Sequence, residues 1–252
     1  MNITYAEVKK RAPKSRDTWF RKLIGDPVAI PLTYLLARYT EVTPVALTKA
    51  TIIWGLGAAI AFAIGALPLG IFFHYLRFLF DAMDGKLSRI KQEDDTYRGA
   101  LDFLGDGIVD TLVVIGLAIH GDKTLLTLFL IWMSISFLIH RSTSLSYRLM
   151  QQSNIKSKEF VSPEMEKIYG NSRIIALYYK LTRKTEKWGI NPIPSAAESS
   201  VLIFIVGPLV WSLTNSIQWM YLFVSIGIIL SLPVTIGAGV IAYTLAKSGD
   251  KN

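Results

Sequence analysis

Four aspartates, Asp81, Asp84, Asp102 and Asp106, lie within the stretch DAMDGKLSRIKQEDDTYRGALDFLGD, and the flanking segments are rich in Phe, Leu, Ile and Val. On a helix Asp81 and Asp84 share a face with Ser88 and Arg89, and Asp102 shares a face of the next helix with Asp106. If residues 90–98 form the turn of an antiparallel hairpin, positions equally distant from it oppose each other. Asp84 then meets Asp102, Asp81 meets Asp106 and, one turn deeper, Arg77 meets Asp110 as an expected ion pair, the alternative for Arg77 being direct contact with Asp81 four residues on. Carboxylates this close repel, and at a poorly solvated boundary they do not all stay ionised alone. A divalent cation removes the conflict. The ligand atoms are hard oxygens, Cys is absent and no His lies in the cluster, which suits Mg²⁺ or Mn²⁺ over Zn²⁺. Such an ion, with positions left for phosphate oxygens, serves phosphoryl transfer, and two ions clamp both the attacking and the leaving oxygen. Gly85 and Gly99 let backbone approach a ligand, Ser88 is small, and Arg89 offers a planar cation to phosphate. The plain alternative, aspartates solvated at helix ends, leaves the grouping of charge at this depth without a reason.

The elements that must hold these residues are membrane helices. Of the 252 residues 51% are hydrophobic and 18% charged, with a mean hydropathy of +0.38, too apolar for a soluble domain of this length. Stretches near 44–64, 68–89, 98–119, 123–148, 196–214 and 217–246 are each long enough to span. Short breaks carrying Gly, Pro, Asn or Asp separate the first from the second, the third from the fourth and the fifth from the sixth. Lys and Arg crowd instead into 9–38, 86–98, 148–187 and 247–251, so both termini and the acidic hairpin are expected on the cytoplasmic side. That distribution accounts for the net charge of +8 through topology and anionic headgroups, and argues against nucleic acid.

No apolar run follows the basic first residues, so no cleaved leader is expected. The segment KSRDTWFRKLIG places Trp19, Phe20, Leu23 and Ile24 on one face, as a helix lying in the interface does, outside the chemistry. The fold class is therefore all-α: a bundle of six transmembrane helices preceded by a cytoplasmic interfacial amphipathic helix. Residues 1–40 form the interfacial segment and 41–252 the six-span domain, with a long cytoplasmic loop at 151–195 containing short helices. Gly57, Ala61 and Gly65 recur every fourth residue and would admit a neighbouring helix. His74, His140 and Glu198 read as packing or interhelical bonding, and Arg141 either as a contact for an acceptor phosphate or as an interhelical bond.

With its spacing, the stretch resembles the CDP-alcohol phosphotransferases, six-span enzymes of phospholipid synthesis, whose pattern is DxxDGxxARx₈GxxxDxxxD. The match runs through Asp81, Asp84, Gly85, Arg89, Asp102 and Asp106, and the run Thr43 to Thr48, T-P-x-x-x-T, is similar to the family's entry to its first span. Ser88 stands in place of Ala, and Arg98 in place of the second Gly, with Gly99 one residue later. The resemblance implies transfer of a phosphatidyl or phospho-alcohol group from a CDP-linked lipid donor to a hydroxyl acceptor, with release of CMP. It also implies a homodimer in membrane lipid. By position it makes Asp81, Asp84, Asp102 and Asp106 the ligands of two Mg²⁺ or Mn²⁺ ions, with Asp106 also the general base. Gly85, Ser88, Arg89 and the Gly99 region would line the nucleotide site, and Arg77, Asp110 and Arg141 would support it or meet the acceptor. A divalent-cation transporter or other metal-binding membrane protein is the competing class. The outer halves of the first and fourth spans, however, offer almost no polar path.

Overall fold

The computed structural model describes residues 3–14, 17–93, 96–152, 180–181, 184–185, 188–191 and 196–249. Most of the expected loop 151–195 therefore lies outside the described residues. Among those described, helices are joined by turns, and the one β-type contact is an isolated bridge between Asp17 and Ile190.

The N-terminal part comprises α1 (Tyr5–Arg11), a π-helical turn (Arg21–Gly25) and α2 (Asp26–Tyr39). Then follow α3 (Pro44–Ala63), α4 (Leu67–Lys91), α5 (Thr96–His120) and α6 (Lys123–Gln152). The last part comprises α7 (Ala196–Val201), a second π-helical turn (Leu202–Val206), α8 (Gly207–Thr214) and α9 (Gln218–Gly249). Each π-helical turn ends just before a helix with proline in its first two positions, Pro27 in α2 and Pro208 in α8. Proline donates no N–H to the preceding turn, and a widened turn is one local answer.

Among the described residues five segments are long and apolar enough to cross a membrane: Pro44–Ala63, Thr96–His120, Lys123–Leu145, Ala197–Thr214 and Gln218–Gly237. The expected second span is α4, which has 25 residues but carries Arg77, Asp81, Asp84, Lys86, Arg89 and Lys91. Its length is sufficient; its composition is what falls short.

Helix α3 packs against both α4 and α5, and α6 packs mainly on α9. The larger core joins Ala58 and Phe62 of α3, Val109, Val113 and Leu117 of α5, Phe129 and Trp132 of α6, Ile203 and Phe204, and Met220 and Val224 of α9. Lipid is as apolar as these side chains, so close packing and interhelical bonds hold such a bundle. Gly116 shows the tightness: a Cβ there would lie 2.4 Å from the Ala59 carbonyl oxygen of α3. Ser199 of α7 bonds the Gly227 carbonyl of α9 at 3.2 Å and lies 3.0 Å from the Ser231 hydroxyl. Gly65, read from sequence as part of a helix-packing face, instead sits in the α3–α4 turn at φ +76°, a conformation only glycine adopts freely.

A second core packs the N-terminal part on α4, through Ile3, Val8, Ala12, Ala29, Ile30 and Ala37 against Leu79, Ala82, Met83, Leu87 and Ile90. Cations at the end of α4 reinforce it. Lys86 pairs with Asp26 at 2.8 Å, Arg89 Nε donates to the Ala12 carbonyl at 2.7 Å, and Lys91 donates to the Val42 carbonyl at 2.8 Å. Within the amphipathic segment Trp19, Leu23 and Ile24 are exposed as expected, whereas Phe20 turns inward, its ring 5.0 Å from that of Phe78.

Candidate active site

The α4–α5 hairpin closes more tightly than the expected 90–98 turn. Helix α4 continues to Lys91 and ends in a left-handed Gln92, whose N–H returns to the Ser88 carbonyl, and α5 begins at Thr96. Arg98 is thereby in the first turn of α5, one turn from Asp102. The hairpin's midpoint is unchanged, so the expected oppositions of depth persist.

Asp81, Asp102 and Asp106 each present a carboxylate oxygen, and these three atoms lie within 4.8 Å of one another. Asp102 Oδ1 is buried without a hydrogen-bond partner among the described residues. A desolvated, unpaired carboxylate oxygen is unfavourable unless a cation balances it. The hard-oxygen donors and this orphaned atom together fit a divalent cation that Asp81, Asp102 and Asp106 could hold.

Asp84 lies outside this triplet. It is 2% exposed, accepts from Thr48 Oγ1 at 2.6 Å, and has Arg98 Nη1 3.7 Å from its Oδ2. The T-P-x-x-x-T run thus has two structural duties. Thr43 caps α3 by accepting from the Ala46 N–H at 3.2 Å, and Thr48, one turn on, reaches Asp84.

Arg77 donates to Asp110 at 2.6 Å, the ion pair expected from equal depth, and also to Asp106 at 2.7 Å, a contact the depth rule did not supply. Its guanidinium spans two aspartates one turn apart on α5. No described contact links it to Asp81, because Arg21 takes that place: Arg21 Nη2 donates to Asp81 Oδ2 at 2.5 Å. The Asp81 carboxylate holds Arg21 above its ordinary pKa range, against the effect of burial. The N-terminal segment, read from sequence as outside the chemistry, therefore reaches the site; Arg21 lies 60 residues from Asp81, and local spacing carries no sign of it.

A cleft opens beside the carboxylates, lined by residues from the N-terminal segment (Lys14, Asp17, Arg21), from α4 (Asp81, Asp84, Gly85, Lys86, Arg89) and from α5 (Arg98, Asp102). The Arg89 guanidinium folds back along α4 over Gly85, where an added Cβ would lie in ordinary contact 3.5 Å from Nη1. Ser88 does not line the cleft: its hydroxyl donates to the Glu93 carbonyl at 2.5 Å and finishes the helix. Gly99 is exposed with open space around it, and is also not among the lining residues. Arg141 is exposed on α6, stacked over its neighbour Phe137 at 5.0 Å, and is not among the lining residues. His140 meets the Phe103 ring edge-on at 6.3 Å. Glu198 accepts from the Phe20 N–H at 3.4 Å, and Asp17 pairs with the backbone of Gly189 and Asn191, so the cleft's N-terminal wall is tied to the approach to α7.

No protein-family model matches the chain, and no curated protein matches it in sequence. Solved structures do match. One is the crystal structure of Mycobacterium tuberculosis phosphatidylinositol phosphate synthase with CDP-DAG bound, at a TM-score of 0.51 and 16% identity, covering 86% of this chain and 94% of that one. The chain shares that synthase's fold. At this identity the likeness speaks for the arrangement of helices, and the chemistry rests on the side chains described above.

Proposed function

We propose that the protein is a CDP-alcohol phosphotransferase of phospholipid synthesis. It moves a phosphatidyl or related phospho-alcohol group from a CDP-linked lipid such as CDP-diacylglycerol to a hydroxyl acceptor and releases CMP. The observation that carries this reading is the triplet Asp81, Asp102 and Asp106 converging at one end of a membrane-helix hairpin, beside a cleft lined by Gly85 and Arg89. The shared fold supports it, since the solved synthase binds CDP-DAG.

In this reading α4 is a span too, the second of six, residues 1–40 lie at the interface ahead of the six-span domain 41–252, both termini are cytoplasmic, and the site opens to that face. The enzyme works as a homodimer. Asp81, Asp102 and Asp106 would hold one Mg²⁺ or Mn²⁺, and Asp84, on the wall of the same cleft, would join them in holding a second; such a site would supply positive charge to offset the charge developing on phosphate oxygens. The chain's own groups do the rest. Asp106 accepts the acceptor's proton as its oxygen attacks the phosphorus bearing the lipid alcohol, and the bond from that phosphorus to the CMP oxygen breaks. Arg77, fixed on Asp106 Oδ1, orients the carboxylate and leaves its other oxygen for this work. Gly85 and Arg89 face the nucleotide's phosphates. Ser88 and Gly99 support this wall from the helix end and from the first turn of α5, and Arg141 is left to the acceptor's approach.

Cation transport fits less well. Arg77 sits one turn deeper than the carboxylates with its positive charge across the outward route, and His74, Phe204, Trp132 and Phe129 pack the space beyond.

Purified protein given CDP-diacylglycerol, Mg²⁺ or Mn²⁺ and a panel of hydroxyl acceptors should release CMP and form a new lipid by mass. Chelation should stop the reaction, and Asp106→Asn should slow it by about 10²–10⁴-fold, the usual worth of a general base. Undiminished turnover in Asp106→Asn, or no CMP with any acceptor, would count against the proposal.

A further inference from the structure

Five cations line the cleft, from three separate parts of the chain: Lys14 and Arg21, Lys86 and Arg89, and Arg98. Their commitments differ. Lys86 is buried and spent on Asp26 and the Ala82 carbonyl, and Arg89 gives its Nε to the Ala12 carbonyl. Arg21 and Arg98 are partly used. Arg21 makes one short bond to Asp81 and lies 5.8 Å over the Phe78 ring; Arg98 approaches Asp84 at 3.7 Å, beyond hydrogen-bond distance. The Nε of each is buried with no hydrogen-bond partner among the described residues.

A guanidinium carries five N–H donors in a rigid fork and binds phosphate through two of them at once. A buried, unused donor on a cleft wall is unfavourable until an acceptor arrives. The two arginines also stand beside different carboxylates, Arg21 at Asp81 and Arg98 at Asp84, so they flank the acidic group from the N-terminal segment and from α5.

We propose that Arg21 and Arg98 are a pair of phosphate ligands that hold the diphosphate of a nucleotide-linked substrate, each bridging from its aspartate to a phosphate oxygen. Neither belongs to the pattern DxxDGxxARx₈GxxxDxxxD; Arg98 occupies a position that the pattern assigns to glycine. The site thereby gains two cations that a glycine there and a detached N-terminal helix would not provide. The inference rests on the transferase reading for its substrate and adds the residues that set diphosphate affinity. The competing account is that both arginines are counter-ions that lower carboxylate repulsion and never touch substrate.

The test is equilibrium binding of CDP and, separately, of Mn²⁺ to the purified full chain, comparing wild type with Arg98→Gln, Arg98→Lys and Arg21→Gln, and with thermal melting as the check on folding. Arg98→Gln and Arg21→Gln should each weaken CDP about tenfold, in keeping with the loss of a hydrogen bond to a charged group, while Mn²⁺ binding persists. Arg98→Lys should recover part of the loss, since it keeps the charge without the fork. Unchanged CDP affinity with tighter Mn²⁺ binding in the Gln variants would overturn the proposal in favour of the counter-ion account. Wild type that binds Mn²⁺ but no CDP would overturn the transferase reading as well, an outcome distinct from a failure confined to the variants. If Arg21→Gln unfolds, Arg98→Gln alone decides.

Discussion

Arg77 is a buried cation that bridges two acidic side chains of α5. Its side chain is 10% exposed, and it balances Asp106 and Asp110, which face it from the next helix. Truncation would leave two carboxylates without their cation; because the Asp106 and Asp110 side chains are 43% and 35% exposed, the cost falls below the about 3–5 kcal/mol typical of breaking a fully buried pair. Arg77→Ala should therefore lower the melting temperature in detergent markedly, whereas the double variant Arg77→Leu with Asp110→Asn should recover part of the loss. A melting temperature unchanged in Arg77→Ala would mean that water or lipid headgroups already satisfy these groups.

At the scale of elements, the α3–α5 crossing and the turn ahead of α6 carry separate expectations. Gly116 faces the backbone of Ala59 and Ala63, so Gly116→Val must push α3 and α5 apart. Overpacking of this kind costs about 1–3 kcal/mol, and a clear drop in thermal stability with some retention of Mn²⁺ binding is the expected result. Asp122 caps α6 by accepting from the Leu125 N–H at 2.9 Å, and also accepts from the Tyr221 hydroxyl of α9. The Tyr221 hydroxyl and that backbone N–H lower its pKa below the ordinary carboxylate value. The stabilisation is thus complete above about pH 4, near the unfolded value, and is lost as pH falls through the lowered folded value. Asp122→Asn keeps a capping side chain but not the charge. Melting curves of the two proteins should differ at neutral pH and converge as pH falls below the ordinary carboxylate range; a gap that stays constant with pH would show that the charge is not involved.

The whole molecule joins two packed regions, a membrane core of α3, α5, α6 and α9 and a second core in which the N-terminal part lies on the end of α4. The site is where the second region meets the α4–α5 hairpin, so its sidedness decides the direction from which substrate arrives. Absence of cysteine makes this measurable without first removing any native thiol. A membrane-impermeant maleimide applied to intact cells should label Ser216→Cys, in the turn before α9, and leave Thr96→Cys, at the start of α5, unlabelled until the membrane is opened. Labelling of Thr96→Cys from outside would invert the proposed topology.

Helix limits, the hairpin's midpoint and the Arg77–Asp110 pair were legible in the amino-acid sequence. Each follows from a local rule: the length of an apolar run, and the equal depth of positions flanking a turn. The assignment of carboxylates to one face was legible for the same reason. The separation of Asp84 from the triplet was not, because the Thr48 hydroxyl that draws it away comes from α3, 36 residues earlier. Ser88 matched a motif by spacing, yet the tight end of α4 turns its hydroxyl to a backbone carbonyl instead. The largest gap was Arg21. Helical periodicity correctly gave the N-terminal segment an exposed apolar face, but periodicity concerns neighbours within a turn or two. Tertiary contacts bring Arg21 to Asp81, among them the packing of Phe20 and Arg21 on Phe78, the Phe20 N–H bond to Glu198 and the pairing of Asp17 with the backbone near Ile190. Local composition determined which residues could do chemistry; tertiary contacts between distant segments decided which of them, and which unexpected cation, share the site.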